Sequence, residues 1–256
     1  MFKKYVLDLD YNAFATLSMI TKFEDICKGR KRAILVNCKD GFTPQVPLVP
    51  IMRTTTIYKE PAQKFLPIHY DIMDQIKKKF KEDIQFNNAM IEIYDPRYRK
   101  MGFHTDQSLD LAEDSYICIF SCYENDSNNK NDIRKLVIQN KSTKELSEIL
   151  MENNSIVLFS TSVNHEHVHK IILDSNKSTN RWLGLTLRLS KTFVKFVDEV
   201  PYFYFNKMLK NKVLRIANEN EKKEFLKLKG KENSEIGYIY PEIDYTISTS
   251  DMLPII

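Results

Sequence analysis

The stretch Ser155–Leu173, SIVLFSTSVNHEHVHKIIL, decides between two structures for this chain. It contains the pattern H-E-x-x-H from His165 to His169, which binds zinc in metallopeptidases when a helix places both histidines on one face. The flanking residues are rich in β-branched and aromatic types, which favour a strand. We therefore predict a strand over 166–173 with His167 and His169 on one face, and keep the zinc metallopeptidase as the less favoured alternative.

Short apolar runs separated by polar turns extend from Phe86 to Val194, on both sides of this stretch. Such a pattern is typical of a β-sandwich or barrel. Helices are predicted over 11–28, 65–81 and 203–229. The sequence therefore predicts an α+β protein with a mainly β core. The predicted strands are 4–9 and 33–37, followed by 87–94, 115–123, 133–139, 155–161, 166–173 and 181–190.

A second histidine motif lies earlier in the chain, at His104-Thr105-Asp106. If this segment is extended, the imidazole and the carboxylate share a face, because alternate residues of a strand point to the same side. Two histidines and one carboxylate with open positions form the facial triad of non-haem Fe(II) oxygenases. His169 lies 65 residues further along, in another predicted strand, and an arginine follows it. The sequence thus contains the residue types for such a triad.

The composition argues against several other classes of protein. Neither G-x-G-x-x-G nor G-x-x-x-x-G-K-[ST] occurs, so dinucleotide-binding and P-loop folds are not expected. No apolar run approaches the roughly 18 residues of a membrane span, and the N-terminus lacks the apolar stretch of a signal peptide. The four cysteines form no C-x-x-C pair and are expected to be reduced thiols. We therefore expect a cytoplasmic or nuclear protein without a membrane partner.

Residues 86–190 resemble the AlkB-like branch of the 2-oxoglutarate/Fe(II)-dependent dioxygenases. The motifs of that family occur in the same order: N-x-Y, H-x-D, a distal histidine, and an arginine-bounded strand. In this chain they read FNNAMIEIY, GFHTDQ, NHEHVHKI and RWLGLTLR. The segment 47–58, PLVPIMRTTTIY, also resembles the family segment that covers the nucleobase pocket. This resemblance covers about 105 residues of the chain.

The resemblance implies a double-stranded β-helix, a jelly-roll of two sheets with the metal between them. It would comprise 86–194, with 1–85 contributing covering helices and a possible substrate lid, and 195–256 forming a helical C-terminal extension of unassigned role. His104, Asp106 and His169 match the metal ligands of the family. The implied cofactors are Fe(II), the cosubstrate 2-oxoglutarate and O₂.

The implied activity is oxidative demethylation of alkylated bases in DNA or RNA, in which a hydroxylated methyl group leaves as formaldehyde. The same catalytic core hydroxylating a protein side chain or a small metabolite is the alternative. A third possibility is a β-helix without catalytic activity that serves as a binding module. The oligomeric state is not determined by the sequence.

Strand parity ranks the arginines that would bind the cosubstrate. In RWLGLTLR, residues 181–188, the odd positions are leucines that must pack on apolar layers, whereas the even face carries Thr186 and Arg188. Arg188 is therefore predicted to point into the site, while Arg181 matches the family motif but needs a bulge to do so. Tyr94 matches the tyrosine of the family motif, and Glu92 stands where the family has asparagine.

A basic segment just before the H-x-D motif is the candidate substrate contact. Arg97, Arg99 and Lys100 surround a tyrosine and would lie near the rim of the site. A basic and aromatic rim suits a phosphodiester backbone and a flipped base, and it also suits an acidic peptide. The net charge of +4 is too small to indicate a nucleic-acid partner by itself.

Overall fold

The computed structural model describes residues 1–38, 47–80, 83–126, 129–205 and 208–256. The protein is a mixed α+β structure made mostly of antiparallel sheets, as the sequence predicts. None of the described helices is long and apolar enough to cross a membrane.

Strands far outnumber helices in the described part of the chain. The helices are α1 (Ala13–Ile20), α2 (Pro67–Lys79), α3 (Thr161–Glu166) and α4 (Glu219–Ser234). The strands are β1 (Lys3–Val6), β2 (Glu24–Cys27), β3 (Arg30–Val36), β4 (Leu48–Pro50), β5 (Gln63–Lys64), β6 (Asn88–Tyr94), β7 (Tyr116–Tyr123), β8 (Arg134–Asn140), β9 (Leu146–Met151), β10 (Ser155–Ser160), β11 (His167–Ile172), β12 (Trp182–Arg188), β13 (Phe193–Val197), β14 (Val200–Phe205), β15 (Met208–Val213), β16 (Arg215–Ile216) and β17 (Tyr245–Thr246).

Two sheets form the central part of the fold. The large sheet has the strand order β1-β10-β7-β12-β6-β3-β2, with β5 beside β3. The small sheet has the order β11-β8-β9, and the preceding chain joins it through bridges from Lys100 to Ile172 and from His104 to His169. A further sheet has the order β15-β14-β13-β4, and β16 pairs with β17. Strands from 1–85 thus lie in the same sheets as later strands.

The large sheet has an apolar layer on each face. One layer lies under α1 and α2, where Leu17 and Ile72 pack with the odd residues of β12. The other lies between the large and small sheets, where Trp182 and Ile119 pack with Leu136 of β8. Because successive strand residues point to opposite faces, β12 contributes to both layers. Its odd residues Leu183, Leu185 and Leu187 face the helices, as parity predicts.

Helix α2 follows directly from its sequence. Pro67 occupies the first turn, where the missing N–H costs no hydrogen bond, and lysines fill the last turn, where the helix dipole favours positive charge. Ile72 and Ile76, one turn apart, are fully buried against the large sheet. The helix lies within the predicted range 65–81, of which residue 81 is outside the described residues.

The predicted strands of the core are confirmed with small shifts of their ends. Strand β9 was not predicted, because most of its side chains are exposed and it shows no alternation of apolar residues. It lies at the edge of the small sheet and pairs only with β8 among the described strands. Pairing with a neighbour, rather than burial, makes this segment a strand.

The helix predicted over 11–28 is wrong in its second half. It ends at Ile20, and β2 then pairs with β3 in an antiparallel hairpin. Gly29 closes the turn with φ of +80°, a left-handed conformation that glycine adopts without steric cost. The pairing of β2 along the edge of the large sheet outweighs the weak helical preference of its residues.

The helix predicted over 203–229 is also wrong in its first half. Strands β14 and β15 occupy this region, and α4 begins only at Glu219. The hairpin between β13 and β14 turns at Asp198 and Glu199, whose φ angles are +49° and +63°. A two-residue turn of this hand matches the twist of the paired strands. The C-terminal extension is therefore partly a β-structure.

We expect Ile72→Ala to lower the free energy of unfolding by about 2–5 kcal/mol, because the fully buried side chain leaves a cavity between α2 and the large sheet. Urea denaturation followed by circular dichroism measures the change. Met19→Ala, at a position that is 81 % exposed, is the matched control and should change stability by less than about 0.5 kcal/mol. Equal losses in both variants would contradict this description of the layer.

Candidate metal centre

The two histidines of the candidate triad lie on neighbouring segments of the small sheet. The backbone of His104 and His169 forms a reciprocal pair, with N···O distances of 3.0 and 2.7 Å. Directly opposed residues in an antiparallel ladder have side chains on the same face. The two imidazole rings accordingly lie 4.6 Å apart between their centroids. Strand pairing thus brings together two residues that are far apart in sequence.

Asp106 completes the group from the loop that follows His104. Its Oδ1 lies 3.9 Å from His169 Nε2, and one potential ligand atom from each of the three residues falls within 4.8 Å of the others. Asn164, in α3, holds the backbone of Asp106 from both sides, accepting from its N–H at 3.0 Å and donating to its carbonyl at 2.8 Å. The structure therefore brings His104, Asp106 and His169 together, as the sequence predicts.

The protonation states at this centre suit a cation. Burial, together with the neighbouring His104, lowers the pKa of His169 to about 3, and burial also lowers the pKa of His104. Burial alone would raise the pKa of Asp106, but Arg188 and the two imidazoles outweigh it, so the pKa lies below its usual range. At neutral pH the centre offers two neutral imidazoles and one carboxylate, which are the forms that bind metals.

The donor set fits a divalent transition metal. The Nδ1 atom of His104 lies 3.2 Å from the Gly102 carbonyl, an outer contact that leaves Nε2 available. The Nδ1 atom of His169 is buried and has no hydrogen-bond partner in the described part of the chain. Two imidazoles and one carboxylate on one face leave positions for further ligands, as in non-haem Fe(II) sites.

Arg188 points into the centre, as parity predicts. Its Nε and Nη2 atoms lie 3.2 and 3.1 Å from the two carboxylate oxygens of Asp106, and both side chains are buried. Strand β12 pairs without a register shift over its whole length, so no bulge occurs at Gly184. Thr186 lies on the same face and is also buried. Arg188 therefore forms an ion pair with a candidate metal ligand.

Tyr94 lies between the sheets in a network of charged groups. Its hydroxyl donates to Glu92 Oε2 at 2.9 Å, and the other carboxylate oxygen of Glu92 accepts from Arg30 at 3.0 Å and from Arg32. Glu92, the departure from the family motif, is thus neutralised by two guanidinium groups. Two cations and one anion leave this network with an excess positive charge.

Sequence reasoning did not identify Arg134, which adds to this positive charge. Its side chain is 1 % exposed and donates to the carbonyls of Tyr98 at 2.8 Å and Asp95 at 3.0 Å. Its guanidinium carbon lies 5.1 Å from the Tyr94 ring and 5.9 Å from that of Trp182. Among the described residues no carboxylate forms an ion pair with it. Arg134 lies two residues before Leu136 on the same strand, so both side chains are on the face toward the core between the sheets. This spacing was the sequence signal that could have identified Arg134.

Arg181 does not join the triad. It lies just before β12, at the opposite end of the strand from Arg188 and roughly 23 Å away at the rise of an extended strand. Its Nε donates to Glu124 Oε2 at 2.7 Å, and its guanidinium carbon lies 5.4 Å from the Phe14 ring. The side chain is 47 % exposed. Because the strand has no bulge, the arginine that matches the family motif lies at the surface.

The basic segment before His104 lies toward the Ile172 end of β11. Arg97 forms a surface ion pair with Asp95, and Arg99 donates to the carbonyl of Asp174 at 2.6 Å. Lys100 is exposed where the backbone bridges to Ile172. The three cations are therefore not grouped around the triad.

Two buried residues of the segment 47–58 join it to other parts of the chain. Arg53 is buried and donates to Asp110 at 2.7 and 3.0 Å, and also to the carbonyl of Ile243. Tyr58 is buried as well. This segment ties the loop after the triad to the C-terminal residues.

A cavity of about 680 Å³ lies beside the loop that carries Asp106. Its walls include Ser108 after the H-x-D motif, His165 before β11 and Lys191 after β12. These segments all lie at the end of the sheets where the triad lies. The opposite wall is aromatic and aliphatic and belongs to the C-terminal extension, with Phe203, Tyr204, Tyr238, Ile239, Tyr240 and Pro241.

The H-E-x-x-H alternative requires one helix, and the structure has two elements at this point. His165 lies in α3, which ends at Glu166, whereas His169 lies in β11. His167 Nδ1 lies 2.8 Å from the Val163 carbonyl, its ring packs on Phe2, and it is not among the clustered donors. The zinc metallopeptidase pattern is therefore a coincidence of sequence.

We expect His169→Ala to abolish binding of Co(II) or anaerobic Fe(II), whereas His167→Ala should keep most of the affinity, because only His169 belongs to the clustered donors. Isothermal titration calorimetry and the visible spectrum of the Co(II) complex measure metal binding by the two variants. His167→Ala is the matched control, two residues away on the same strand. Loss of metal binding in His167→Ala but not in His169→Ala would show that the ligands are assigned wrongly.

The chain matches no protein-family model, and no curated protein matches it. The expectation of a dioxygenase therefore rests on the motifs of the chain and on the positions of their residues. Of these, the His104, Asp106 and His169 group is the part that the fold assembles most closely.

Proposed function

We propose that this protein is a dioxygenase that depends on Fe(II) and 2-oxoglutarate and has a double-stranded β-helix core. The observation that carries the proposal is the clustered group of two imidazoles on paired segments of a sheet and one carboxylate from the loop that follows; Asp106 and His169 are buried and His104 is half-buried. Such a group with open positions is the ligand set of non-haem Fe(II) oxygenases.

The strand order supports the double-stranded β-helix. From β6 to β12 the chain alternates between the sheets, apart from β8 and β9, which are consecutive in the small sheet. The large sheet contains β10, β7, β12 and β6 side by side, and the small sheet contains the 100–104 segment, β11, β8 and β9. Two four-membered antiparallel layers that face each other across an apolar core agree with this architecture.

The residues of the centre fit the proposed metal and its chemistry. His104, Asp106 and His169 would hold Fe(II), which with 2-oxoglutarate and O₂ supplies oxidative decarboxylation to succinate and CO₂ coupled to hydroxylation of a C–H bond. Arg188 keeps the Asp106 carboxylate ionised and oriented through one hydrogen bond from Nε and a second close ion-pair contact from Nη2. Asp106 and Arg188 are both buried, so water has little access to their ion pair.

The excess positive charge between the sheets supports an anionic cosubstrate. Arg134 is buried with neutral acceptors only, and such a charge is stabilised when a carboxylate comes within hydrogen-bond distance. Tyr94 lies beside Arg134, and Thr186 shares its β12 face with Arg188. We assign the distal carboxylate of 2-oxoglutarate to Arg134, with Tyr94 and Thr186 as further contacts along the cosubstrate. In this assignment Arg188 remains paired with Asp106.

The cavity beside the triad is the proposed substrate site, and its charges disfavour a polyanion. Lys191 lies 3.6 Å from Glu113, and Lys212 lies 2.8 Å from Glu242, so both wall lysines face carboxylates of the same wall. Apolar and aromatic side chains form much of the remaining surface. A small metabolite without a phosphate backbone therefore suits the cavity better than the alkylated nucleic acid that the resemblance implies.

We expect Arg134→Gln to raise the dissociation constant of 2-oxoglutarate on the order of 30-fold or more, because it removes the buried charge that faces the cosubstrate. Anaerobic titration of the Fe(II) protein, followed by its charge-transfer absorption, measures this constant. Arg181→Gln is the matched control and should leave it unchanged.

Thermal unfolding and the milder variant Arg134→Lys separate loss of binding from loss of folding. A normal constant in folded Arg134→Gln together with a raised one in Arg181→Gln would reverse the assignment. No binding of 2-oxoglutarate to the wild-type Fe(II) protein would refute the dioxygenase proposal.

We expect Ser162→Trp to lower substrate-coupled formation of succinate at least tenfold, because the exposed Ser162 lines the cavity and an indole would fill part of it. The assay offers the Fe(II) protein a panel of neutral metabolites and, separately, methylated oligonucleotides, and measures product mass and succinate. Ser147→Trp, on the exposed edge strand β9, is the control. Turnover of oligonucleotides that falls steeply with salt and is insensitive to Ser162→Trp would favour the nucleic-acid substrate instead.

A further inference from the structure

The loop that carries Asp106 is held by side chains from the C-terminal helix. Thr105 donates its backbone N–H to Asn233 Oδ1 at 3.0 Å, and its carbonyl accepts from Lys229 Nζ. Ser108 donates both its backbone N–H and its hydroxyl to Glu232 Oε1, at 2.8 and 2.6 Å. The backbone on both sides of Asp106 is therefore hydrogen-bonded to α4.

These three residues of α4 form one face of the helix. Lys229, Glu232 and Asn233 are three and four positions apart, the spacing at which helical side chains are neighbours. Lys229 also donates to Glu232 Oε2 at 2.7 Å, and Glu232 is 2 % exposed. The Lys229–Glu232 ion pair is buried and faces the loop, while the rest of the helix surface is mostly polar. Burial of such a pair costs free energy unless each of its hydrogen bonds is made.

The rest of the C-terminal segment fixes α4 in this position. Phe225 and Leu228 pack with Ile243 and Ile247 in a separate apolar cluster. Tyr240 donates its hydroxyl to Glu232 Oε2 at 2.9 Å, so the wall of the cavity and the face of α4 are joined through one carboxylate. The segment is thus a small packed unit that contacts the triad loop through a hydrogen-bonding face.

We propose that α4 is a positioning element of the metal centre, so that docking of α4 on the Thr105–Ser108 loop and binding of metal by Asp106 favour each other. This inference rests on the proposed function, because it concerns the same metal. Asn164 of α3 and Arg188 of β12 hold Asp106 itself, whereas α4 holds the backbone on both sides of it. Coupling of this kind is reciprocal, so metal should also stabilise the docked helix.

Asn233 offers the sharpest test, because it is only half-buried and makes one hydrogen bond to the loop. We expect Asn233→Ala to raise the dissociation constants of Co(II) and Mn(II) about tenfold or more, the usual effect of losing an outer partner of a metal site. Asn233→Asp keeps an acceptor oxygen and should stay within about twofold of the wild type. Glu224→Ala, on the exposed face of α4, is the matched control and should bind metal normally.

Hydrogen exchange provides a readout that a purely structural role of Asn233 would not change. Adding Co(II) should slow exchange of the α4 amides in the wild type and in Glu224→Ala, and this protection should be much smaller in Asn233→Ala. Unchanged metal affinity in folded Asn233→Ala, or α4 exchange that is insensitive to metal in the wild type, would overturn the coupling while leaving the metal centre in place. If the wild type binds metal no better than His169→Ala does, the proposed function is overturned and this inference with it.

Discussion

The buried ion pair between Asp106 and Arg188 is the interaction on which the candidate centre depends. Removing one partner of such a pair costs about 3–5 kcal/mol, because the other charge is left without compensation in a medium of low dielectric. In this protein the pair joins a loop residue to the end of β12, which is hydrogen-bonded to β6 on one side and to β7 on the other. The ion pair thereby fixes the position of a loop carboxylate relative to the central strand.

The alternation of β12 connects this centre to the rest of the fold. One face of the strand is leucine and packs under α1 and α2, and the other carries Trp182, Thr186 and Arg188 toward the small sheet. A shift of one residue in register would exchange the two faces and turn Thr186 and Arg188 toward the apolar layer under the helices. The apolar layer beneath the helices therefore also specifies where the guanidinium of Arg188 points.

Charge is distributed unevenly around the centre. Between the sheets, Arg30, Arg32 and Arg134 outnumber the single carboxylate of Glu92. At the cavity, by contrast, the lysines of the wall face glutamates. The interior thus carries an excess of positive charge, whereas these lysines at the cavity are paired with carboxylates. The C-terminal extension lines the cavity and, through α4, contacts the loop that carries Asp106.

The sequence by itself determined the features that depend on local periodicity: the strands of the core and the direction of Arg188. These follow from the period of two along a strand, which needs no knowledge of distant residues. Where β-pairing competed with a weak helical preference, as in β2 and β14, local pattern alone gave the wrong element. Only the tertiary structure decided which groups meet across the molecule. Arg134 faces Tyr94, Arg181 faces Glu124, and Glu232 faces Ser108 because sheets and helix pack in one particular arrangement, and contacts between residues so far apart leave no periodic signal in the chain.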